Sequence, residues 1–504
     1  MATAAALKLP VPEPPAQYDR SFFGHPRGLS TLFFTEMWER FSYYGMRALL
    51  ILFMTAAPAA GGLGFDAVTA GAIYGLYTSM VYMMTLPGGW IADRLIGPQR
   101  AVLMGGILIA AGHFSMAVPA LSTFYLGLTL IVIGTGFLKG NVSVIVGRLY
   151  TPDDVRRDAG YSIFYMGINT GAFVAPLVCG YLGQRVNWHL GFAAAGVGMV
   201  LGLVQYVLGR KHFGEAGLHP ANPGSAEAFI EQKRQATRWV VGGAAVLILF
   251  GLGMYTGIIP LTAKQIADAA GFLLLAVSVG FFAWVFTSGG WTRVERNHLI
   301  VIAALFIGYA LFGSVFEQAG STLNLFADRD TQNSVFGWDF PSSWFQSVNA
   351  LFVIVFAPVF AWLWIRLARQ GKEPGAPFKF GIGLVLVGLG FMVLVPPASR
   401  TGVLASPNWL VLTYLLHTWG ELALSPVGLS AMSKLAPIRI GGLVMGVWFL
   451  GVSVGNYVSG RAASFYESMS LPTLFGFVGA FAVVAGLAFL VFSRPLNRLS
   501  SDTA

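Results

Sequence analysis

The 504-residue chain is 56% hydrophobic and only 11% charged, whereas an ordinary soluble domain carries roughly a quarter charged residues. Too few charges remain to cover a soluble surface of this size, which excludes a soluble globular protein. The net charge of +9 therefore bears on membrane orientation and not on nucleic acid.

Apolar runs of about 20 residues, enough to cross a hydrocarbon core of roughly 30 Å, recur along the chain. The start, through Pro10, Pro12, Pro14 and Pro15, has no signal-peptide hydrophobic region and reads as a short tail, 1–28. Six spans follow near 29–57, 68–92, 100–120, 123–147, 160–182 and 189–209. A polar stretch at 211–238, with Lys211, Lys233 and Arg234, reads as a basic linker. Two more spans lie near 239–259 and 266–287. Six others lie near 297–320, 343–368, 379–397, 407–434, 440–462 and 471–493. The expected architecture is an all-α polytopic membrane protein of about fourteen helices. Its units are a six-helix bundle (29–210), an inserted pair (239–290), a second six-helix bundle (291–494) and a tail (495–504). The 63 glycines suit close packing of membrane helices. The single cysteine, Cys179, cannot close an internal disulfide.

Arginine and lysine concentrate in alternate loops: Arg94 and Arg100, Arg148 to Arg157, the linker, Arg293 and Arg296, Arg366 to Lys372, and Lys434 with Arg439. The opposite loops hold only scattered cations such as Arg185, Lys264, Arg329 and Arg400. The bias puts both termini in the cytoplasm. The loop after the second span, with Gly89, Asp93, Arg94, Gly97 and Arg100, resembles the G-x-x-x-D-R-x-x-G signature of the major facilitator superfamily. Its glycines would allow a tight turn, and its Asp–Arg pair could lock neighbouring helix ends.

An ionisable residue at membrane depth costs at least ~2.5–3.5 kcal/mol, so each one is a candidate functional group. The first span carries Glu36, Glu39, Arg40 and Arg47 beside Tyr43 and Tyr44. At 100° per residue, positions 36, 40, 43 and 47 fall within about 60° of one another, with Glu39 just beside them. Such a polar seam should face a cavity or a partner bundle. Two carboxylates and an arginine this close can trade a proton with whatever competes for the arginine. Lys139, Glu317 and Glu421 stand alone in later apolar spans. An ion pair between bundles, Lys139 with Glu317, is the expected arrangement. A cavity holding Arg40, Arg47 and Lys139 against Glu317 and Glu421 is dipolar and suits a zwitterion such as an amino acid or short peptide. His113 and His417 have no second ligand at metal spacing, so they read as packing residues. No nucleophile elbow, Walker loop or zinc motif is present, and an enzyme is not expected.

The first span, from Glu36 to Gly45, resembles the E-x-x-E-R-F-x-Y-Y-G signature of proton-dependent oligopeptide transporters. Five further stretches fit the family in order: those around Lys139, Asn169, Glu317, Asn349 and Glu421. The resemblance implies a major-facilitator fold of twelve core helices with an extra pair, and import of di- and tripeptides coupled to protons. It implies that Arg40 and Lys139 meet the peptide carboxylate while Asn169, Asn349 and Glu421 hold the amino end. Tyr43, Tyr44, Arg47 and Tyr82 would line the site, and Trp448 would help close it. Glu36, Glu39, Glu317, Arg40 and Lys139 would couple protons. It further implies a monomer in the cell inner membrane, with lipid around it and no cofactor beyond the coupling proton. A facilitator for nitrate or another zwitterion is the alternative, and Glu421 speaks against a simple anion. The chain departs from the family at three places: Gly75 follows Ile73-Tyr74 where mammalian members have a histidine, Gly140 replaces a proline after Lys139, and Gly313 replaces a pocket tryptophan. A histidine relay is thus not expected, and a roomier pocket is.

Overall fold

The computed structural model describes residues 19–151, 153–221 and 224–500. Most of the N-terminal tail and the last four residues lie outside them. Among the described residues, fourteen long helices follow one another. The first six are α1 (Arg27–Thr55), α2 (Ala67–Met83), α3 (Pro98–Met116), α4 (Leu121–Arg148), α5 (Arg157–Tyr181) and α6 (Trp188–Gly209). The inserted pair is α7 (Ala226–Tyr255) and α8 (Ala263–Thr287). The last six are α9 (Arg293–Phe316), α10 (Gln346–Arg369), α11 (Ala376–Met392), α12 (Pro407–Leu435), α13 (Gly441–Ala463) and α14 (Leu471–Leu499).

Ten of these are long and apolar enough to cross a bilayer by length and composition alone. Helix α1 is not among them, because its four charges between residues 36 and 47 depress every window. Helix α7 begins at Ala226, inside the stretch read as a linker. The Ser225 side chain accepts from the Ala228 N–H and caps it, and a Glu231–Arg234 pair at 2.5 Å supports its first turns. One departure from the all-α expectation is a small hairpin pairing Ser334 with Asp339 and Val335 with Trp338. Its turn residues Phe336 and Gly337 both have positive φ, 51° and 82°, the combination a type I′ turn requires.

Helices α1 to α6 pack as one bundle and α9 to α14 as another, and the two meet along α2 with α13 and α5 with α10. Helix α8 lies against both α2 and α13. Polar contacts between the bundles gather at the end opposite the basic loops. There Gln184 donates to Ser342 Oγ at 2.7 Å and to Asp328 at 3.2 Å. Asn324 donates to the Ala48 carbonyl at 2.8 Å, and Ser347 to the Phe173 carbonyl at 2.7 Å.

At the basic end, the loop after α2 differs from its expected ion-pair lock. Asp93 makes no ion pair among the described residues, and Arg94 lies over the Trp90 ring at 5.4 Å. The backbone does the joining instead. The Ala221 N–H donates to the Asp93 carbonyl at 2.7 Å, and Gln99 donates to the carbonyls of Gly214 and Ala216 at 3.2 and 3.0 Å. Gly97 turns the chain at φ 81°, a conformation open to glycine.

Ahead of α1, residues 19–26 fold back onto the α4–α5 loop. Asp19 accepts from the Arg27 and Ser21 N–H groups at 2.8 and 3.0 Å. Arg156 donates to the carbonyls of Asp19 and Gly24 while pairing with Asp154 at 2.8 Å. His25 is buried and its Nδ1 lies 2.9 Å from the Tyr150 hydroxyl. Burial first, then the neighbouring Arg156 charge, holds the His25 pKa below its ordinary value. A base whose folded pKa is depressed stabilises the docked form above the free value of about 6.5, and that contribution is lost as pH falls below it. Asp19 and Asp154 are both held below the usual carboxylate range by hydrogen bonds, to the Arg27 N–H and to Arg156 respectively, so they stay charged through this window. The protection of the Phe22 and His25 amides, taken as intrinsic over observed hydrogen-exchange rate at each pH, is therefore expected to fall between pH 7 and pH 5. His25→Asn should flatten that dependence; His212, which also has a depressed pKa near Asp19, is checked with His212→Asn, which should not.

Candidate functional site

A cavity of about 250 Å³ lies between the bundles, lined from both halves of the chain. That is near the small end of ligand pockets. The first bundle gives Tyr44 and Arg47 from α1, Tyr82 from α2, and Tyr165 and Asn169 from α5. The second gives Tyr309 and Phe316 from α9, Asn349 from α10, Tyr414, His417 and Glu421 from α12, and Asn456 from α13, with Glu317 just after α9.

The charges of α1 form two tiers. In the first, the Arg40 guanidinium contacts both Glu36, at 3.1 Å, and Glu39. All three are buried, with 3% of Glu36, none of Glu39 and 3% of Arg40 exposed, so each charge needs its partner. Tyr43 is stacked beside Arg40 at 5.4 Å. Seven residues on, about 10 Å along the helix, Arg47 forms the second tier. Its Nη2 pairs with Glu317 at 2.6 Å, and its Nε donates to the Tyr74 hydroxyl at 2.7 Å.

This overturns the expected Lys139–Glu317 pair. Glu317 sits where α9 ends, beside the level of Arg47. Lys139 lies on α4 and places its ammonium 3.6 Å from the centre of the Tyr82 ring, a cation–π contact. An ion-pair partner for Lys139 does not occur among the described residues.

Glu421 is placed differently again. It accepts from Asn349 Nδ2 at 3.0 Å, and the same amide donates to Thr418 at 3.0 Å. No cation pairs with Glu421 among the described residues. Among the described residues, the cavity thus has a carboxylate held by a neutral amide alone.

Of the residues expected to contact a ligand, Tyr44, Arg47, Tyr82, Asn169, Asn349 and Glu421 line the cavity. Arg40, Tyr43, Lys139 and Trp448 lie outside its lining. Asn169 turns its amide to the Tyr165 carbonyl at 3.0 Å, and Trp448 packs on Tyr309 with ring centres 4.2 Å apart. Sequence reasoning missed Tyr165, Tyr309, Tyr414 and Asn456. The two histidines were read as packing residues. His113 is wholly buried; His417 is buried too and lies against Phe391 and Phe316, yet it lines the cavity. Its spacing of four from Glu421 on α12 puts both on one helical face, a signal that was available.

A profile of the POT family matches residues 99–476. The chain belongs to the POT family. It is a multi-pass membrane transporter and not an enzyme. It is 41% identical over 499 residues to the peptide transporter YePEPT of Yersinia enterocolitica, covering 96% of this chain and 97% of that one. It is 38% identical over 497 residues to a di-/tripeptide transporter of Lactococcus lactis subsp. cremoris, covering 96% and 98%. The fold matches the crystal structure of a peptide transporter POT in complex with sulfate at a TM-score of 0.88 and 44% identity, over 95% of this chain and 96% of that one. The POT fold is that of the major facilitator superfamily, as the sequence suggested.

The pairing makes a specific prediction. Breaking a buried pair by neutralising one partner costs about 3–5 kcal/mol, so Glu317→Gln should loosen the end where the bundles meet. Spin labels at the exposed positions Val186 and Val403, read by electron–electron resonance, should show a longer distance in a share of molecules. Lys139→Gln should leave the distribution unchanged; the reverse ranking would restore the Lys139 pairing.

Proposed function

We propose that this POT-family chain carries di- and tripeptides into the cytoplasm together with protons, by alternating access between its two bundles. The observation that carries the reading is Glu421, a carboxylate on the cavity wall that has an amide but, among the described residues, no cation. A peptide's ammonium group supplies the missing charge, with Asn349 and Asn169 adding acceptors beside it. The peptide carboxylate turns to the cationic side of the first bundle, where Lys139 stands behind the Tyr82 ring and Arg40 behind Tyr43 and Tyr44. The names of the similar proteins, a peptide transporter and a di-/tripeptide transporter, support the same substrate class.

The coupling follows from competition for arginines. A proton arriving on Glu317 removes the charge that holds Arg47, which weakens the closed end and admits substrate. In the first tier Arg40 is shared by two carboxylates. When a peptide carboxylate draws Arg40 away, Glu36 or Glu39 takes up a proton in its place. Release of peptide and proton on the cytoplasmic side lets Arg40 and Arg47 return. In this reading both termini are cytoplasmic and the chain works as a monomer in the inner membrane. The first bundle is 29–210 and the second 291–494, and the basic stretch from 211 leads into the inserted pair, whose first helix already begins at Ala226. Nitrate is disfavoured, since Glu421 would repel it.

Uptake of labelled dialanine into proteoliposomes tests the proposal. Accumulation should need an inward proton gradient and be abolished by Glu39→Gln. Glu421→Gln should weaken half-saturation by roughly 10–100-fold, as expected for losing a buried charged contact of about 1.5–3 kcal/mol. Equilibration without accumulation would keep the peptide site and remove the coupling. No uptake by folded protein would shift the substrate to another zwitterion.

A further inference from the structure

The outer face of the second bundle carries a groove of about 300 Å³ between α9 and α14, distinct from the central cavity. Ala304 and Ile307 form one wall, and Phe489, Phe492 and Pro495 the other. Every wall is apolar. Ile307 is 53% and Phe492 59% exposed, so the groove opens outward to the bilayer and not into the protein. A Cβ at Gly308 would stand 2.7 Å from the Phe489 ring, which sets the level at which the helices cross.

The end of this face with the basic loops is cationic. Arg296 precedes Ile307 by eleven residues and Arg293 precedes Ala304 by eleven, three helical turns each, so both arginines lie on the groove face of α9. Both are exposed, and neither has an ion-pair partner among the described residues. Glu295, between them in sequence, is turned away. It accepts from the Thr292 N–H at 2.8 Å as the helix cap and lies 3.7 Å from Arg439. Antiparallel packing sets Leu496 opposite residue 301, so the groove ends about 8 Å short of Arg296 at 1.5 Å per residue. Pro495 also has no N–H for the Val491 carbonyl one turn earlier, which leaves an acceptor at the groove edge.

We propose that this groove binds one acyl chain of an anionic phospholipid whose phosphate is held by Arg293 and Arg296. The apolar walls fit the chain, the spacing fits the glycerol region, and the exposed guanidinium groups fit the phosphate. Basic groups at the cytoplasmic ends of membrane helices attract anionic lipid in this way. An uncharged or zwitterionic lipid would fill the same groove without using the arginines. Bound there, the lipid spans α9, whose far end carries Glu317, and α14.

Native mass spectrometry of the purified protein, titrated separately with dioleoyl phosphatidylglycerol and dioleoyl phosphatidylcholine, tests this. The first phosphatidylglycerol adduct should form with about tenfold or greater preference. The double variant Arg293→Gln/Arg296→Gln should lose that preference, and Ala304→Trp, which fills the groove, should lose the adduct. Equal affinity for the two lipids, or a preference that survives the double variant, would overturn the proposal. If Ala304→Trp does not fold, the arginine variant, confined to exposed side chains, still decides.

Discussion

The charges on α1 can exist at membrane depth only if each meets a compensating group, and this requirement organises the space between the bundles. Removing a charge from water without a partner costs several kcal/mol even after relaxation. One helix therefore carries two tiers about 10 Å apart. The Arg40 tier is satisfied inside α1 by Glu36 and Glu39. The Arg47 tier cannot be, because no carboxylate of α1 lies within a turn of it, so it reaches across to Glu317 of the second bundle. The local tier leaves the bundles free of each other, while the crossing tier ties them. The tie occurs at the end where Gln184, Asn324 and Ser347 also cross.

That tie demands a close approach of backbones, which the small residues of α2 and α13 supply. A Cβ on Gly75 would meet the Tyr457 carbonyl oxygen at 2.8 Å and the Gly460 Cα at 3.3 Å. In this conformation no side chain fits at residue 75. The place where mammalian relatives carry a histidine is thus occupied by backbone from the other bundle. The proposed proton movement is therefore assigned to the carboxylates, and the fold that brings Arg47 to Glu317 is the same fold that excludes a ring at Gly75.

Much of this was legible in the residue pattern. Helix spans follow from hydropathy, because burial in lipid demands long apolar runs and leaves little ambiguity of period. The Glu36-to-Arg47 stripe follows from spacing on one helix. Contacts between helices are a different matter. The pairing of Glu317 was misread because both Lys139 and Arg47 satisfy the demand for a cation, and only the relative depth of α1, α4 and α9 separates them. Spacing within a helix says nothing about depth across helices. Likewise Asp93 and Arg94 are adjacent in sequence, yet they serve the loop through a carbonyl and a ring contact. Of the missed cavity tyrosines, Tyr165 and Tyr414 stand four residues before Asn169 and seven before Glu421, the one-face spacing that also marks His417. Tyr309 on α9 has no such neighbour, and an aromatic in an apolar span carries no other signature of the face it lines.

Counting the ionisable groups at this depth gives a constraint on the proposed coupling. Arg40, Arg47 and Lys139 face Glu36, Glu39, Glu317 and Glu421, so three cations stand against four carboxylates. One negative charge is left over, and Glu421, which among the described residues has a hydrogen bond from Asn349 and no cation, is where the excess sits. A zwitterionic peptide adds no net charge, but its ammonium end can stand at Glu421 while its carboxylate displaces one arginine from a glutamate. The displaced glutamate is then the uncompensated group. One proton on it makes the loaded cluster neutral, whereas the empty, unprotonated cluster carries the excess charge. A neutral cluster crosses between conformations without dragging an unpaired charge through low dielectric. In the proposed symport, then, the loaded cluster reaches neutrality with a single proton. A simple anion such as nitrate, bound without protons, would double the excess instead.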